Sequence, residues 1–112
     1  MIHQLRIYEI FEYNKLAFHE RFRDHAAQIM RKYGFNIVAM WEAKTDRRTE
    51  FVSLLAWPDE TAKSAAWAEF MADEEWNEIK QMTSAEHGKL VGTIEDRLLV
   101  PTRYSPSMFH SS

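Results

Sequence analysis

The chain of 112 residues contains no cysteine. Disulfides, thiolate metal sites and thiol nucleophiles are therefore excluded. Glycine is scarce, at 3 residues, so a phosphate-cradling loop has little to be made from. No apolar run approaches the roughly 20 residues of a membrane span. No basic segment followed by an apolar one opens the chain, so no signal peptide is predicted and the expected location is the cytoplasm. The net charge is −3 with no block of like sign, which argues against nucleic acid and anionic membrane as partners. No Ser-His-Asp order and no paired-carboxylate motif is present.

Aromatic side chains, by contrast, are plentiful: 4 Trp, 4 Tyr and 7 Phe. The length suits one domain, which buries roughly two-thirds of its unfolded surface and needs no staples. That much aromatic area exceeds what so small a core needs, and points to an interface or a pocket.

Residues 2 to 11 alternate as a strand does, Leu5 and Ile7 to one side, Arg6 and Tyr8 to the other between Ile2 and Ile10. Asn14 is read as an N-cap and Gly34 as the residue beyond a helix end. Between them Phe18, Phe22, Ala26, Ile29, Met30 and Tyr33 gather on one face at helical spacing. Phe35 to Lys44 reads as a second strand and Glu50 to Trp57 as a third. The third is apolar on both faces and so expected to be central, with a charged turn between the two. Pro58-Asp59 opens a second helix made slim by Ala62, Ala65, Ala66 and Ala68, and Asp73 caps a fresh start. Thr83 to Lys89 is expected to be a loop. Leu90 to Val100 is a fourth strand, stopped by Pro101.

Strand, helix, strand, strand, helix, strand is the ferredoxin-like βαββαβ order of an α+β domain with a four-stranded antiparallel sheet. Residues 1–104 form the domain and 105–112 a tail. Both helices are expected on one face. The other face, expected to carry Arg6, Tyr8, Glu95 and Arg97, is predicted to pair two copies into a homodimer.

These residues resemble the NIPSNAP family. Leu5-Arg6-Ile7-Tyr8-Glu9 is similar to the family's opening. Gly34, Trp41-Glu42, the run Trp67 to Trp76 and the ending Ile94 to Thr102 followed by Ser105-Pro106 are similar to its later landmarks. The resemblance covers nearly the whole chain and implies a dimeric α/β barrel, two sheets packed face to face. It brings no agreed catalytic residues to carry over, and no cofactor is expected. The expected function is a homodimeric module that binds a small molecule or a protein. The alternative, from relatives on the same architecture, is a cofactor-free monooxygenase or haem-degrading enzyme holding a flat substrate between sheet and helices.

The candidate ligand-binding residues are Arg6, Tyr8, His19, Trp41, Trp57, Glu95 and Arg97. Arg6 and Glu95 are read either as a cross-strand ion pair or as part of a patch that orients an anionic or aromatic ligand. His19 is either a proton shuttle or a boundary histidine with an ordinary hydrogen bond. His19 and His25 are six apart, which rules out the i, i+4 metal pair, and no metal is expected. Trp67 and Trp76 are read as core. Trp41 and Trp57, at strand ends, are read as possible walls of a cavity.

Overall fold

In the computed structural model, which describes residues 1–106, the predicted order is present. It runs β1 (Ile2–Ile10), α1 (Lys15–Arg21), α2 (Ala27–Lys32), β2 (Asn36–Lys44), β3 (Thr49–Trp57), α3 (Glu60–Met71), α4 (Glu74–His87) and β4 (Val91–Leu99). The strands form one antiparallel sheet in the order β2-β3-β1-β4. The third strand is internal, as its two apolar faces predict. The hydrophobic Met108 and Phe109 of the tail, with His110, lie outside the described residues.

Alternation fixes which side chains meet the helices. Tyr8 and Ile10 of β1 with Phe51, Leu55 and Trp57 of β3 pack on Phe18, Phe22, Ala26, Met30, Phe35, Phe70 and Trp76. The even-numbered residues of β1 therefore face the helices. This reverses the expected placement of Arg6 and Tyr8, which lie on the covered face. Their rings and methylenes pack while their polar tips find partners, so a polar residue type did not mark an uncovered face. The uncovered face carries Leu5 and Ile7, paired with Leu54 and Val52 of β3 and with Arg97 and Glu95 of β4. Trp41 of β2 lies opposite Val52 on it.

Helices α1 and α2 form one rod joined by a widened turn, Phe22–Ala26, in which the Ala27 N–H bonds to the Phe22 carbonyl five residues back. The rod ends as predicted at Gly34, whose φ of +87° suits a residue without a Cβ. The N–H groups of Gly34 and Phe35 bond back to the Arg31 and Met30 carbonyls, the double closure of a Schellman end. Asp59 and Asp73 cap α3 and α4 by accepting from the Ala62 and Trp76 N–H groups at 2.8 and 2.7 Å. Two local expectations fail. Asn14 sits before α1 but makes no side-chain cap. Its Nδ2 instead donates to the His87 and Lys89 carbonyls at 3.0 and 2.9 Å, tying the end of α4 to the start of α1. Residues 83 to 87, expected in a loop, continue α4, and the chain turns only at Gly88, φ +80°.

Candidate functional site

The helices do not roof the whole sheet. On β4 the residues facing them are Ile94, Asp96 and Leu98, by their pairing with Tyr8, Arg6 and Gln4. Ile94 is 48% exposed and Leu98 41%, on a face whose middle is dry. A cleft of about 230 Å³ opens there. Its floor is Arg6, Tyr8, Val91 and Ile94, and its walls include Phe22 and Met30 of the first rod, Trp67 and Phe70 of α3 and Trp76 of α4. Phe70 and Trp76 stack with centroids 5.2 Å apart, and Trp67 meets Phe70 edge-on at 5.8 Å.

Arg6 stands at the centre of this cleft. Its guanidinium carbon lies 4.3 Å from the centroid of the Trp67 ring and 5.1 Å from that of Tyr8. Its Nε donates to the Tyr8 hydroxyl at 3.1 Å and its Nη1 to Asp96 Oδ2 at 2.7 Å. Burial acts to lower the pKa of Arg6, but Tyr8 and Asp96 outweigh it and leave the group raised. Burial pushes the Tyr8 phenol up. Beneath lies Gln4, 2% exposed. Its Oε1 accepts from the indole N–H groups of both Trp57 and Trp67 at 2.9 Å, and its Nε2 donates to Asp96 at 2.8 Å. Asp96 thus holds Arg6 and Gln4 together, and Gln4 holds two tryptophans.

Of the predicted site residues, only Arg6 and Tyr8 meet in the cleft. Glu95 does not pair with Arg6. One residue along a strand changes the face, and Asp96 takes the role. Glu95 and Arg97 lie on the opposite face, bonded to each other at 3.0 Å, with Arg48 at 3.4 Å from Glu95. Trp57 is 2% exposed core, not a cavity wall. Trp76 is core and Trp67 packs against it, as expected, and both also line the cleft. His19 and Trp41 line a separate groove of about 480 Å³ between the first helical rod and β2. There the His19 ring nitrogen sits 2.9 Å from Glu42, which Lys15 also reaches at 3.1 Å. Hydrogen bonds first from His19 and then from Lys15 hold the Glu42 carboxyl below the usual range. That groove's acidic side chain, Glu42, is thus already bonded, and so is its Arg23, to Asp24. Among the described residues no cluster of three or more His, Asp or Glu side chains could hold a metal, and no helix is long and apolar enough to cross a membrane.

Gln4 and Asp96 are what the sequence reading missed. A signal for Gln4 existed: a polar residue among the inward positions of β1, in a chain whose buried tryptophans each need an acceptor.

Several solved structures share this fold. An uncharacterised NIPSNAP domain protein from Burkholderia xenovorans is 20% identical, with a TM-score of 0.79 over 96% of this chain and 100% of that one. A NIPSNAP family protein from Agrobacterium tumefaciens is 18% identical, TM-score 0.79, over 94% and 96%. A putative antibiotic biosynthesis monooxygenase from Nitrosomonas europaea is 16% identical, TM-score 0.61, over 93% and 100%. No curated protein matches. The NIPSNAP family model matches residues 3–106, and with nearly its whole length so matched, the chain belongs to the NIPSNAP family.

Proposed function

We propose that this protein is a homodimeric small-molecule-binding module whose ligand lies in the cleft under Trp67 and Trp76. The observation that carries the reading is the exposure of Ile94 on the inner side of the sheet, beside a ring of packed aromatics. A core would have closed over it; a pocket leaves it open. Arg6, braced by Asp96 and Tyr8, is a fixed polar group within otherwise apolar walls, the usual composition of a ligand site. The second copy covers the uncovered sheet face, where Leu5, Ile7, Val52 and Leu54 form an apolar centre beside the Glu95–Arg97 pair. A chain without cysteine gains nothing from an oxidising compartment, and we place it in the cytoplasm.

Two measurements test this. A neutral apolar fluorophore, N-phenylnaphthylamine, should brighten on binding, and Ile94→Trp, which fills the cleft mouth, should abolish the signal. An equal response from the filled variant refutes the cleft. Light scattering at micromolar concentration should give twice the chain mass, and a monomer refutes the pairing.

A second reading uses the same cleft. The fold shared with the Nitrosomonas europaea protein favours a cofactor-free oxygenase acting on a flat substrate. Oxygen consumption with a bound aromatic would support it over simple binding.

A further inference from the structure

The cleft holds three cations and, among the described residues, no carboxylate in its lining: Arg6, Arg21 and Lys80. Arg6 is satisfied by Asp96. Arg21 and Lys80 are not. Among the described residues neither has an acidic partner, and both instead crowd one aromatic ring. The Arg21 guanidinium carbon lies 5.4 Å from the Trp76 centroid and the Lys80 ammonium 5.7 Å. Arg21 is half-buried, and that burial depresses its pKa. Two like charges on one partly dry indole repel each other, and cation–π attraction offsets only part of the cost of desolvation. Left to stability alone, such a position suits a methionine or leucine better than an arginine.

The arrangement is what an anionic ligand would need. Arg21 and Lys80 both line this cleft and both approach the same Trp76 ring, so a carboxylate seated there meets a guanidinium fork and an ammonium, and the neighbouring rings offer flat apolar faces. The volume, about 230 Å³, is below the roughly 300–1,000 Å³ usual for ligand sites, which limits the occupant to one or two rings. We propose that the cleft takes an aromatic carboxylate, its carboxylate between Arg21 and Lys80 and its ring against Trp67, Phe70 and Trp76. This rests on the cleft being the ligand site and adds the ligand's charge.

The test compares naphthoate with its neutral counterpart naphthylmethanol by titration calorimetry, on the wild type and on Arg21→Met and Lys80→Met. Methionine keeps the apolar stem and removes the charge. The wild type should prefer naphthoate by about tenfold or more, the worth of one hydrogen bond between ionised groups. The preference should shrink as salt is raised. Each variant should lose most of the preference, its affinity for naphthoate falling far more than its affinity for naphthylmethanol. Arg21→Met should also melt no lower than the wild type without ligand, since it removes an uncompensated charge. If Arg21→Met fails to fold, Lys80→Met decides alone. Equal binding of the two compounds by the wild type overturns the anion inference and leaves the cleft standing. A preference that survives both variants overturns the assignment to Arg21 and Lys80. Binding of neither compound overturns the inference together with the cleft.

Discussion

Replacing Arg6 by alanine should cost the fold about 3 kcal/mol, and the components can be separated. The ion pair with Asp96 is short, at 2.7 Å, but the Asp96 side chain is 41% exposed. A carboxylate that water can reach is not stranded when its partner goes, so the pair is worth about 1 kcal/mol rather than the 3–5 of a fully buried one. Contact with the Trp67 ring adds about 1 kcal/mol. The buried Tyr8 hydroxyl, deprived of its donor, adds about as much again. A double-mutant cycle isolates the first component. Asp96→Ala combined with Arg6→Ala should show a coupling of about 1 kcal/mol, whereas Glu95→Ala with Arg6→Ala should be additive within about 0.3 kcal/mol. Urea unfolding at fixed protein concentration reads both cycles, so that any self-association contributes equally to each variant. Additivity of Arg6 with Asp96, or a coupling with Glu95 of comparable size, would refute the placement of Arg6 on the helix side of the sheet.

Gln4→Leu should destabilise by about 2 kcal/mol, because it leaves the buried Trp57 indole N–H without an acceptor; urea unfolding checks it, together with a shift in tryptophan emission. Gly34→Ala should cost about 1 kcal/mol, as its φ of +87° strains any residue with a Cβ; the melting temperature reads this. Asp73 supplies the pH dependence. Its carboxyl is held below the usual range first by the Tyr33 hydroxyl at 2.6 Å, then by the Trp76 N–H and by Lys32. A depressed carboxyl contributes stability that is present above its unfolded pKa of about 3.9 and is lost as pH falls through the folded value. The wild type should therefore lose more stability than Asp73→Asn between about pH 5 and about pH 2, and equal losses in urea midpoint would refute the assignment.

The fold was readable because its signals are local. Alternation in Ile2–Ile10, the turn charges before Thr49, the caps Asp59 and Asp73 and the stop at Gly34 each act within a few residues. The cleft was not readable, because it depends on register and on which face the helices choose. Arg6 and Tyr8 look like surface residues, yet each carries enough apolar body to pack. Glu95, Asp96 and Arg97 are three charged neighbours in sequence, and only the β1–β4 register selects the middle one as the partner of Arg6. Trp67 and Trp76 have the spacing of core residues and pack as such, and only the uncovered inner side of β4 makes them line a cleft as well.

The widened turn at Phe22–Ala26 also bears on how this chain would tolerate a change in length. Deleting one residue from an ordinary helix swings everything beyond it by about 100° and scrambles its buried face. Here one turn already carries a residue more than an α-helix needs, with exposed Arg23 within it. Losing Arg23 would let the rod close into regular α-helix while Phe18 on one side and Met30 on the other keep their directions. The rod is thus a place where the chain can lose one residue without rebuilding the core.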